Sequence, residues 1–408
     1  MLRILATRSF RPFEFRRAQY EQYPFDTPVF GVYVHVPFCS KLCGFCPYCK
    51  TVYEKHKCSL FVRSLIQEIE KNSPTERLSA DSVYFGGGSP ALLGSDLIQV
   101  MASLRQKYRF CEAGIELHPT DIDLDTGDLL RAAGFTMASV GVQSFNEEVL
   151  RTLGRDPVDS VRRVMLLQKS GISALDVDLM LGVPGQTTGI ISEDFKKAVD
   201  AGATQVSCYA FMRFSYARDA KQPLTEIAKR RMLESVDALA PTLGFERRSI
   251  WTFVQRHAPQ YSSVTRDAYI GYGPSAVSLS RSSFAVNTFC VDRYTSSLES
   301  GVLPDKLCLH FSPRARYAYW VFWRAYSMDI CFESFRHLFS ADLTQVFGRE
   351  FRLLSSLGLL EKTASGYTLT SKGAYLFHLT EQHYTHRYID SIWRTCVTGT
   401  LPERVVLH

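Results

Sequence analysis

Short runs of β-branched and aromatic residues alternate with amphipathic stretches between residues 31 and 210. This alternation predicts βαβ units around a parallel sheet. We therefore expect an α/β fold, an open or partial (β/α)6 TIM-like barrel, in which chemistry takes place at the carboxyl ends of the strands. The predicted strands are 32–36, 82–85, 113–117, 137–142, 174–180 and 205–210, and the clearest helices are 60–71, 97–108 and 192–200.

The pattern changes in the last part of the chain, where helices and one small hairpin are indicated. Phe347, Phe351 and Leu354 recur at helical spacing, and Gly358 follows as a helix C-cap. A turn at Gly366 indicates a hairpin before a further helix, which is the pattern of a winged helix. We expect three parts, namely an N-terminal segment at 1–30, a barrel core at 31–290 and a helical, winged-helix-like accessory domain at 291–408.

The composition is that of an ordinary globular protein, with 46% apolar and 22% charged residues. No apolar run reaches the roughly 18 residues that a membrane span requires, so we expect none. Residues 1–8 are too short and too interrupted a stretch for a signal peptide, which predicts a cytoplasmic protein. The formal net charge of +6 is scattered without a basic tract, and it predicts no nucleic-acid partner.

The chain has eleven cysteines, which is many for a cytoplasmic protein. Without a secretory signal they should be reduced thiols, and a dense group of them indicates a metal or redox site. Cys39, Cys43, Cys46 and Cys49 form such a group directly after the first predicted strand. We expect the other seven to be small buried apolar residues, and these are Cys58, Cys111, Cys208, Cys290, Cys308, Cys331 and Cys396.

The first three cysteines of the group are separated by three and then two residues. Thiolates at this spacing in a tight loop can bind three irons of one cubane and leave the fourth iron open. An open coordination position indicates chemistry, whereas a closed structural site uses a full set of ligands. We therefore favour a [4Fe–4S] cluster on Cys39, Cys43 and Cys46.

Two other metal sites compete with this interpretation. Zinc could use Cys43, Cys46 and Cys49 with His35 or His56, but structural zinc normally uses two separated ligand pairs. A closed ferredoxin-like cluster would take Cys49 as its fourth ligand, but the chain has no second cysteine group of the ferredoxin kind. Cys49 itself could bind an auxiliary group, act as a catalytic thiol or simply pack, and no other catalytic residue is predicted.

The cysteine spacing resembles that of the radical S-adenosylmethionine (SAM) superfamily. The lead-in Tyr33-Val-His35-Val-Pro37-Phe38-Cys39 is similar to that of the oxygen-independent coproporphyrinogen III oxidase group. That group includes the oxidase, a haem chaperone, methyltransferases and cyclopropane-forming enzymes. The resemblance extends over roughly residues 30–290 and implies a [4Fe–4S] cluster with one or two bound SAM molecules.

Further motifs follow the predicted strands in the order of the family. A Gly-Gly-Gly-Ser-Pro loop follows the second strand, where glycines let the backbone approach a ligand closely. Arg155, after the fourth strand, can hold a carboxylate by two hydrogen bonds. Asp178 lies inside the apolar fifth strand, where a carboxylate is costly unless it is paired. The resemblance implies SAM contacts from Tyr33, Gly87, Gly88, Ser89, Glu116, Gln143, Arg155, Asp178 and Ala210.

Several features depart from the oxidase itself. The oxidase has a fourth cysteine close behind the third, where this chain has Pro47, and Cys49 comes further on. Only 38 residues precede Cys39, fewer than in the oxidase, and the segment after Ala210 runs Phe-Met-Arg213 in place of the histidine-leucine-proline of many relatives. These departures leave the substrate open.

The resemblance implies an enzyme that cleaves SAM to a 5′-deoxyadenosyl radical and acts anaerobically on a tetrapyrrole or another small organic substrate. One alternative is a methyltransferase or cyclopropanase that uses two SAM molecules, and another is a haem-binding chaperone of the same fold. A DNA-binding regulator is disfavoured because the helix of the winged-helix pattern carries only Arg349 and Arg352 as cations. The expected electron donor is a flavodoxin or ferredoxin, and the expected state is a monomer.

Overall fold

The computed structural model of the protein describes residues 13–18, 22–27, 29–217, 221–260, 267–397 and 399–407. The prediction that residues 1–8 are no signal peptide lies outside the described residues. None of the described helices is both long and apolar enough to cross a membrane.

The strands and helices of the described residues are numbered in chain order. The strands are β1 (Phe13–Ala18), β2 (Gly31–Val36), β3 (Phe38–Cys39), β4 (Thr51–Val52), β5 (Leu78–Ser79), β6 (Ser82–Gly87), β7 (Tyr108–Arg109), β8 (Glu112–Leu117), β9 (Met137–Gln143), β10 (Ala174–Leu181), β11 (Gln205–Ala210), β12 (Phe245–Arg247), β13 (Thr252–Gln255), β14 (Tyr269–Tyr272), β15 (Val277–Leu279), β16 (Ser283–Asn287), β17 (Lys306–His310), β18 (Ile330–Cys331), β19 (Leu360–Lys362), β20 (Gly366–Leu369) and β21 (Arg404–Leu407). The α-helices are α1 (Lys55–Asn72), α2 (Asp96–Lys107), α3 (Thr126–Ala133), α4 (Glu147–Thr152), α5 (Ser160–Lys169), α6 (Thr188–Asp200), α7 (Glu226–Leu239), α8 (Val291–Glu299), α9 (Pro313–Tyr326), α10 (Phe332–Phe339), α11 (Leu343–Ser356), α12 (Ser371–Tyr384) and α13 (Asp390–Cys396).

One large sheet organises the fold. Its strand order over the described residues is β12-β13-β11-β10-β9-β8-β6-β2-β14-β15-β16-β17-β1-β21. The seven neighbours from β14 to β11 are all parallel, and antiparallel strands extend the sheet on both sides. Since β12 and β21 are the two ends of this order, the sheet is open, and the predicted α/β partial barrel is confirmed.

The predicted elements of the barrel core are all present. Each of the six predicted strands overlaps an observed parallel strand, and the three predicted helices lie within or overlap α1, α2 and α6. Helix α1 begins at Lys55, five residues before the predicted start at residue 60. Its first turn carries mostly polar side chains, so hydrophobic periodicity does not mark it.

The two faces of the parallel strands have different chemistry. Alternate side chains of a strand point to opposite faces. One face is apolar and fully buried, as at Val34, Phe85 and Val177. The other face carries polar side chains such as Glu116 and Asp178 at the carboxyl ends of the strands, where the candidate site lies.

The C-terminal part contains the predicted winged-helix order of elements. Helices α9, α10 and α11 precede the hairpin of β19 and β20, and β18 completes a three-stranded antiparallel sheet. Gly358 follows α11 with a φ of 68°, and its amide bonds the Ser355 carbonyl at 2.9 Å, as a C-terminal glycine does. A Cβ on Gly366 would lie 1.9 Å from the Ile330 carbonyl oxygen, so the wing closes on β18 only with glycine there.

Strands from both ends of the chain join the large sheet. Strand β1 pairs with β21 on one side and with β17 on the other. Their buried side chains, together with those of α9, α13 and the segment before α8, form a second apolar core that includes Phe13, Phe289 and Ile392. The domain boundaries at 30 and 290 stay predictions.

Candidate functional site

The three candidate cluster ligands lie in one loop. Cys39 ends β3, and the Cys46 amide bonds the Cys43 carbonyl at 3.3 Å in the turn that follows. The base of the loop is held by the Thr51 amide, which donates to the Pro37 carbonyl at 2.7 Å. Burial, with smaller effects of the nearby Cys46 and Cys43 thiols, raises the pKa of Cys39 to about 12. Binding of a cation must therefore displace protons from this loop.

Within the described residues, no group of three or more His, Cys, Asp or Glu side chains is arranged to hold a metal ion. The ligand set Cys39, Cys43 and Cys46 therefore rests on the residue spacing and on the shape of the loop.

The glycine loop after β6 packs directly on the cysteine loop. The Gly88 amide bonds the Val36 carbonyl at 2.7 Å, and the Ser89 amide bonds the Phe38 carbonyl at 2.6 Å. A Cβ on Gly88 would lie 2.2 Å from the Phe38 carbonyl oxygen and 3.0 Å from Cys39 Sγ, so only glycine fits. Gly87 has a φ of +112°, which also favours glycine. The buried hydroxyl of Ser89 has no hydrogen-bond partner among the described residues.

His35 connects Tyr33 to the end of the cysteine loop. His35 Nε2 lies 2.8 Å from the Cys49 carbonyl oxygen, and His35 Nδ1 lies 2.9 Å from the Tyr33 hydroxyl. A carbonyl only accepts, so Nε2 carries the proton and Nδ1 accepts from Tyr33. Burial lowers the pKa of His35 to about 4 and keeps the ring neutral. Both ring nitrogens are engaged, so His35 is not available to zinc, and the Tyr33 oxygen keeps its lone pairs for a ligand.

Cys49 packs into the second apolar core. Its side chain is buried, and Sγ donates to the Phe289 carbonyl at 3.2 Å within the second apolar core. Burial raises the pKa of Cys49 to about 12, so the thiol is protonated at neutral pH. This placement favours packing over the catalytic or auxiliary roles that the sequence left open.

Glu116 contacts the glycine loop. Its Oε1 accepts from the Tyr84 hydroxyl at 2.6 Å, and its Oε2 accepts from the Gly87 amide at 3.2 Å. Burial raises the pKa of Glu116 above its ordinary value. The ring of Tyr84 in turn stacks on Tyr33 with centroids 6.1 Å apart. The sequence analysis missed Tyr84. It lies two residues before Gly86, so the two residues share one face of β6.

Asp178 belongs to a wider polar network on the interior face. Its Oδ2 accepts from Ser139 Oγ at 2.7 Å. Asp176, on the same face of β10, accepts from Gln205 at 2.8 Å and from Ser207 at 2.9 Å. Burial and then the charge of Asp176 raise the pKa of Asp178 well above its usual range. The sequence analysis missed Asp176, although two aspartates two residues apart in an apolar strand are a recognisable signal.

Gln143 and Arg155 lie on either side of α4. Gln143 ends β9 with a φ of 70°, which is unusual for a residue with a side chain. Arg155 donates to the Gly141 carbonyl, and its guanidinium lies 5.5 Å from the centroid of the Phe45 ring in the cysteine loop. Its buried Nε has no partner among the described residues. Ala210, the last predicted contact, is buried at the end of β11.

These residues fit an iron–sulfur cluster and SAM. The three thiols have the spacing and the loop that a cubane uses. The glycine loop leaves no room for a Cβ beside Cys39, and two buried polar atoms, Ser89 Oγ and Arg155 Nε, are left without a partner in the described part of the chain. Buried polar atoms without a partner are costly, which indicates that a ligand supplies the missing bonds.

Known proteins are similar to the central part of the chain. Residues 33–198 match the family model described as the radical SAM superfamily. This part of the chain is similar to a radical SAM domain. The oxygen-independent coproporphyrinogen III oxidase of Escherichia coli is 30% identical over 232 residues, which cover 55% of this chain and 51% of that protein. The anaerobilin synthase of Escherichia coli is 32% identical over 188 residues, which cover 44% of this chain and 42% of that protein.

A solved structure extends the likeness to nearly the whole chain. The structure of coproporphyrinogen III oxidase from Escherichia coli, described as a radical SAM enzyme, has a TM-score of 0.74 and 23% identity. The match covers 88% of this chain and 91% of that one. It shows the fold, including the helical C-terminal part outside the radical SAM domain. The resemblance drawn from the cysteine spacing and its lead-in is confirmed. In sequence, the match spans about half the length of the first curated relative.

Proposed function

We propose that this chain is a radical SAM enzyme that holds a [4Fe–4S] cluster on Cys39, Cys43 and Cys46. The observation that carries the proposal is the contact between the glycine loop and the cysteine loop. With Gly88 and Cys39 this close, a ligand held at the cysteine loop would lie against backbone that carries no side chain at Gly88. When bound, the cluster supplies the electron that cleaves SAM to methionine and a 5′-deoxyadenosyl radical.

In this proposal, different residues around the cysteine loop bind different groups of SAM. The Tyr33 oxygen and the Glu116 carboxylate accept hydrogen bonds, which suits an ammonium group or ribose hydroxyls. The Arg155 guanidinium suits a carboxylate. The remaining proposed contacts are Gly87, Gly88, Ser89, Gln143, Asp178 and Ala210.

We propose a tetrapyrrole or another small organic molecule as the substrate. The named activities of the relatives, a coproporphyrinogen oxidase and an anaerobilin synthase, support this class. Two large aromatic side chains are unusually exposed, Tyr48 in the cysteine loop at 56% and Tyr209 on the interior face of β11 at 36%. Exposed aromatic faces of this kind suit a flat, partly apolar molecule.

Two other activities belong to the same proposal as alternatives. One is methyl or methylene transfer with a second SAM molecule, and the other is haem delivery without turnover. In each case we propose a monomer that works in the cytoplasm, where thiols stay reduced, and receives electrons from a flavodoxin or ferredoxin.

The test is anaerobic reconstitution with iron and sulfide, followed by reduction and incubation with SAM. We expect about four irons per chain and formation of 5′-deoxyadenosine by chromatography. Cys39→Ala, Cys43→Ala and Cys46→Ala should each lose the cluster, whereas Cys111→Ala, at an exposed position outside the loop, should keep it.

Each other outcome has a definite meaning. A full four-iron signal in all three cysteine variants contradicts the ligand assignment. S-adenosylhomocysteine alongside 5′-deoxyadenosine supports methyl transfer. Stoichiometric haem binding without cleavage of SAM supports the delivery protein, and bound zinc contradicts the cluster.

A further inference from the structure

A buried carboxylate outside the SAM face holds the turn that follows β9. Asp194 lies on α6 and is 2% exposed. It accepts from Ser144 Oγ at 2.5 Å and from the Phe145 amide at 2.9 Å. A buried charge is costly unless it is bonded, so these two contacts fix the Ser144–Phe145 backbone to α6.

The residue before this turn is Gln143, whose backbone is strained. A side chain at a φ of 70° costs free energy and persists only where neighbouring contacts hold it. The contacts to Asp194 begin at the next residue. On the far side, the Asn146 amide donates to Ser144 Oγ at 3.0 Å, and the Asn146 side chain caps α4. The turn is therefore fixed at both ends.

The strained backbone determines where the Gln143 side chain lies. Its Nε2 lies 3.0 Å from the position that a Cβ on Gly141 would occupy, so the side chain folds back over that glycine. Arg155 Nη2 lies 3.9 Å from the same position. If the turn relaxed to an ordinary φ, the Gln143 amide would leave this place beside Arg155.

We propose that Asp194 is a positioning residue that acts on SAM binding through Gln143. The inference rests on the proposed function, in which Gln143 contacts SAM. Asp194 itself lies on α6, outside the set of residues that we propose to contact SAM. Its role is to keep the turn, and with it the Gln143 amide, in the geometry that the ligand meets.

The test measures SAM affinity of the reconstituted protein by anaerobic equilibrium dialysis. Asp194→Asn keeps the shape of the side chain but not its charge, and should raise Kd about tenfold. Glu193→Gln, an exposed neighbour on the same helix, is the matched control and should leave Kd unchanged. In a Gln143→Ala background, Asp194→Asn should have little further effect, because the residue through which it acts is gone.

The outcomes separate this inference from the proposed function. If the unsubstituted protein binds no SAM, the proposed function fails and the inference fails with it. If that protein binds SAM and Asp194→Asn binds equally well, only the inference is overturned. Equal losses from Asp194→Asn with and without Gln143 would show a general structural role and would also overturn it.

A second variant and a second readout cover the case in which Asp194→Asn does not fold. Ser144→Ala removes one donor to the carboxylate and should raise Kd in the same direction by a smaller factor. Hydrogen exchange of the Phe145 amide, measured without SAM, should be faster in either variant than in the parent protein. Unchanged protection of this amide would contradict the role given to Asp194.

Discussion

The direction of one hydrogen bond determines what Tyr33 offers a ligand. Because the Cys49 carbonyl takes the only proton of His35, the tyrosine must donate to the ring and keeps its lone pairs free. Tyr33→Phe should therefore weaken SAM binding by about five- to tenfold, while the iron content stays the same. Equilibrium dialysis and iron analysis on one preparation measure both. An unchanged Kd would show that the hydroxyl does not meet SAM.

His378 gives a second prediction at the scale of single residues. The ring is buried against Trp251, with centroids 4.0 Å apart, and accepts from the Gln382 amide at 2.7 Å. Burial, with smaller effects of Lys229 and Arg247, lowers the pKa of His378 to about 3. Since the unfolded value is about 6.5, the unfolded chain binds more protons below that pH, and stability falls as the pH decreases from 6.5 toward 3.

His378→Gln removes this dependence. Relative to the variant, the parent protein should lose about 2 kcal/mol of unfolding free energy between pH 8 and pH 5. Guanidinium unfolding of both proteins at the two pH values measures the difference. The same stability gap at both pH values would mean that the buried ring is not the cause.

At the scale of elements, the glycine loop and the cysteine loop form one unit. Gly88→Ala places a methyl group where the Phe38 carbonyl lies 2.2 Å away, so one loop must move. We expect a loss of about 1–3 kcal/mol of stability and a reduced iron content. Gly189→Ala on α6 is the control, because its Cβ meets only Thr187 Oγ1 at 3.7 Å. Thermal unfolding and iron analysis should separate the two, and full iron loading of Gly88→Ala would contradict the close packing.

Elements with a local pattern could be predicted from the sequence, and those fixed by distant contacts could not. Runs such as Val32–Val36 and the glycines at 86–88 carry their own signal, so the parallel strands and the loops after them were predicted. Strands β1 and β21 pair with each other although nearly the whole sequence separates them. Nothing near Phe13 in the sequence indicates its partner Leu407. Asp194 was missed for the same reason, since its partners lie 49 and 50 residues away.

At the scale of the whole molecule, β21 completes the sheet and should unfold with it. Leu407 is 8% exposed in the second apolar core, so Leu407→Ala should cost about 2–3 kcal/mol. Arg404→Ala removes only an exposed ion pair with Glu14 and should leave the thermal midpoint nearly unchanged. Calorimetry should show one transition at a lower temperature for Leu407→Ala. A separate early transition would show that β21 detaches on its own.

The position of β1 in the sheet has a consequence during synthesis on the ribosome. The cysteine loop and the six strands β2, β6, β8, β9, β10 and β11 use residues 31–210, so the ribosome completes this part of the chain early. Arg17 of β1 meets Asp305, 288 residues later. At ordinary rates of translation that interval is roughly 15 to 60 s. During this time the apolar side chains of β1 have no partner strand to join, so the growing chain exposes a strand that is open to aggregation.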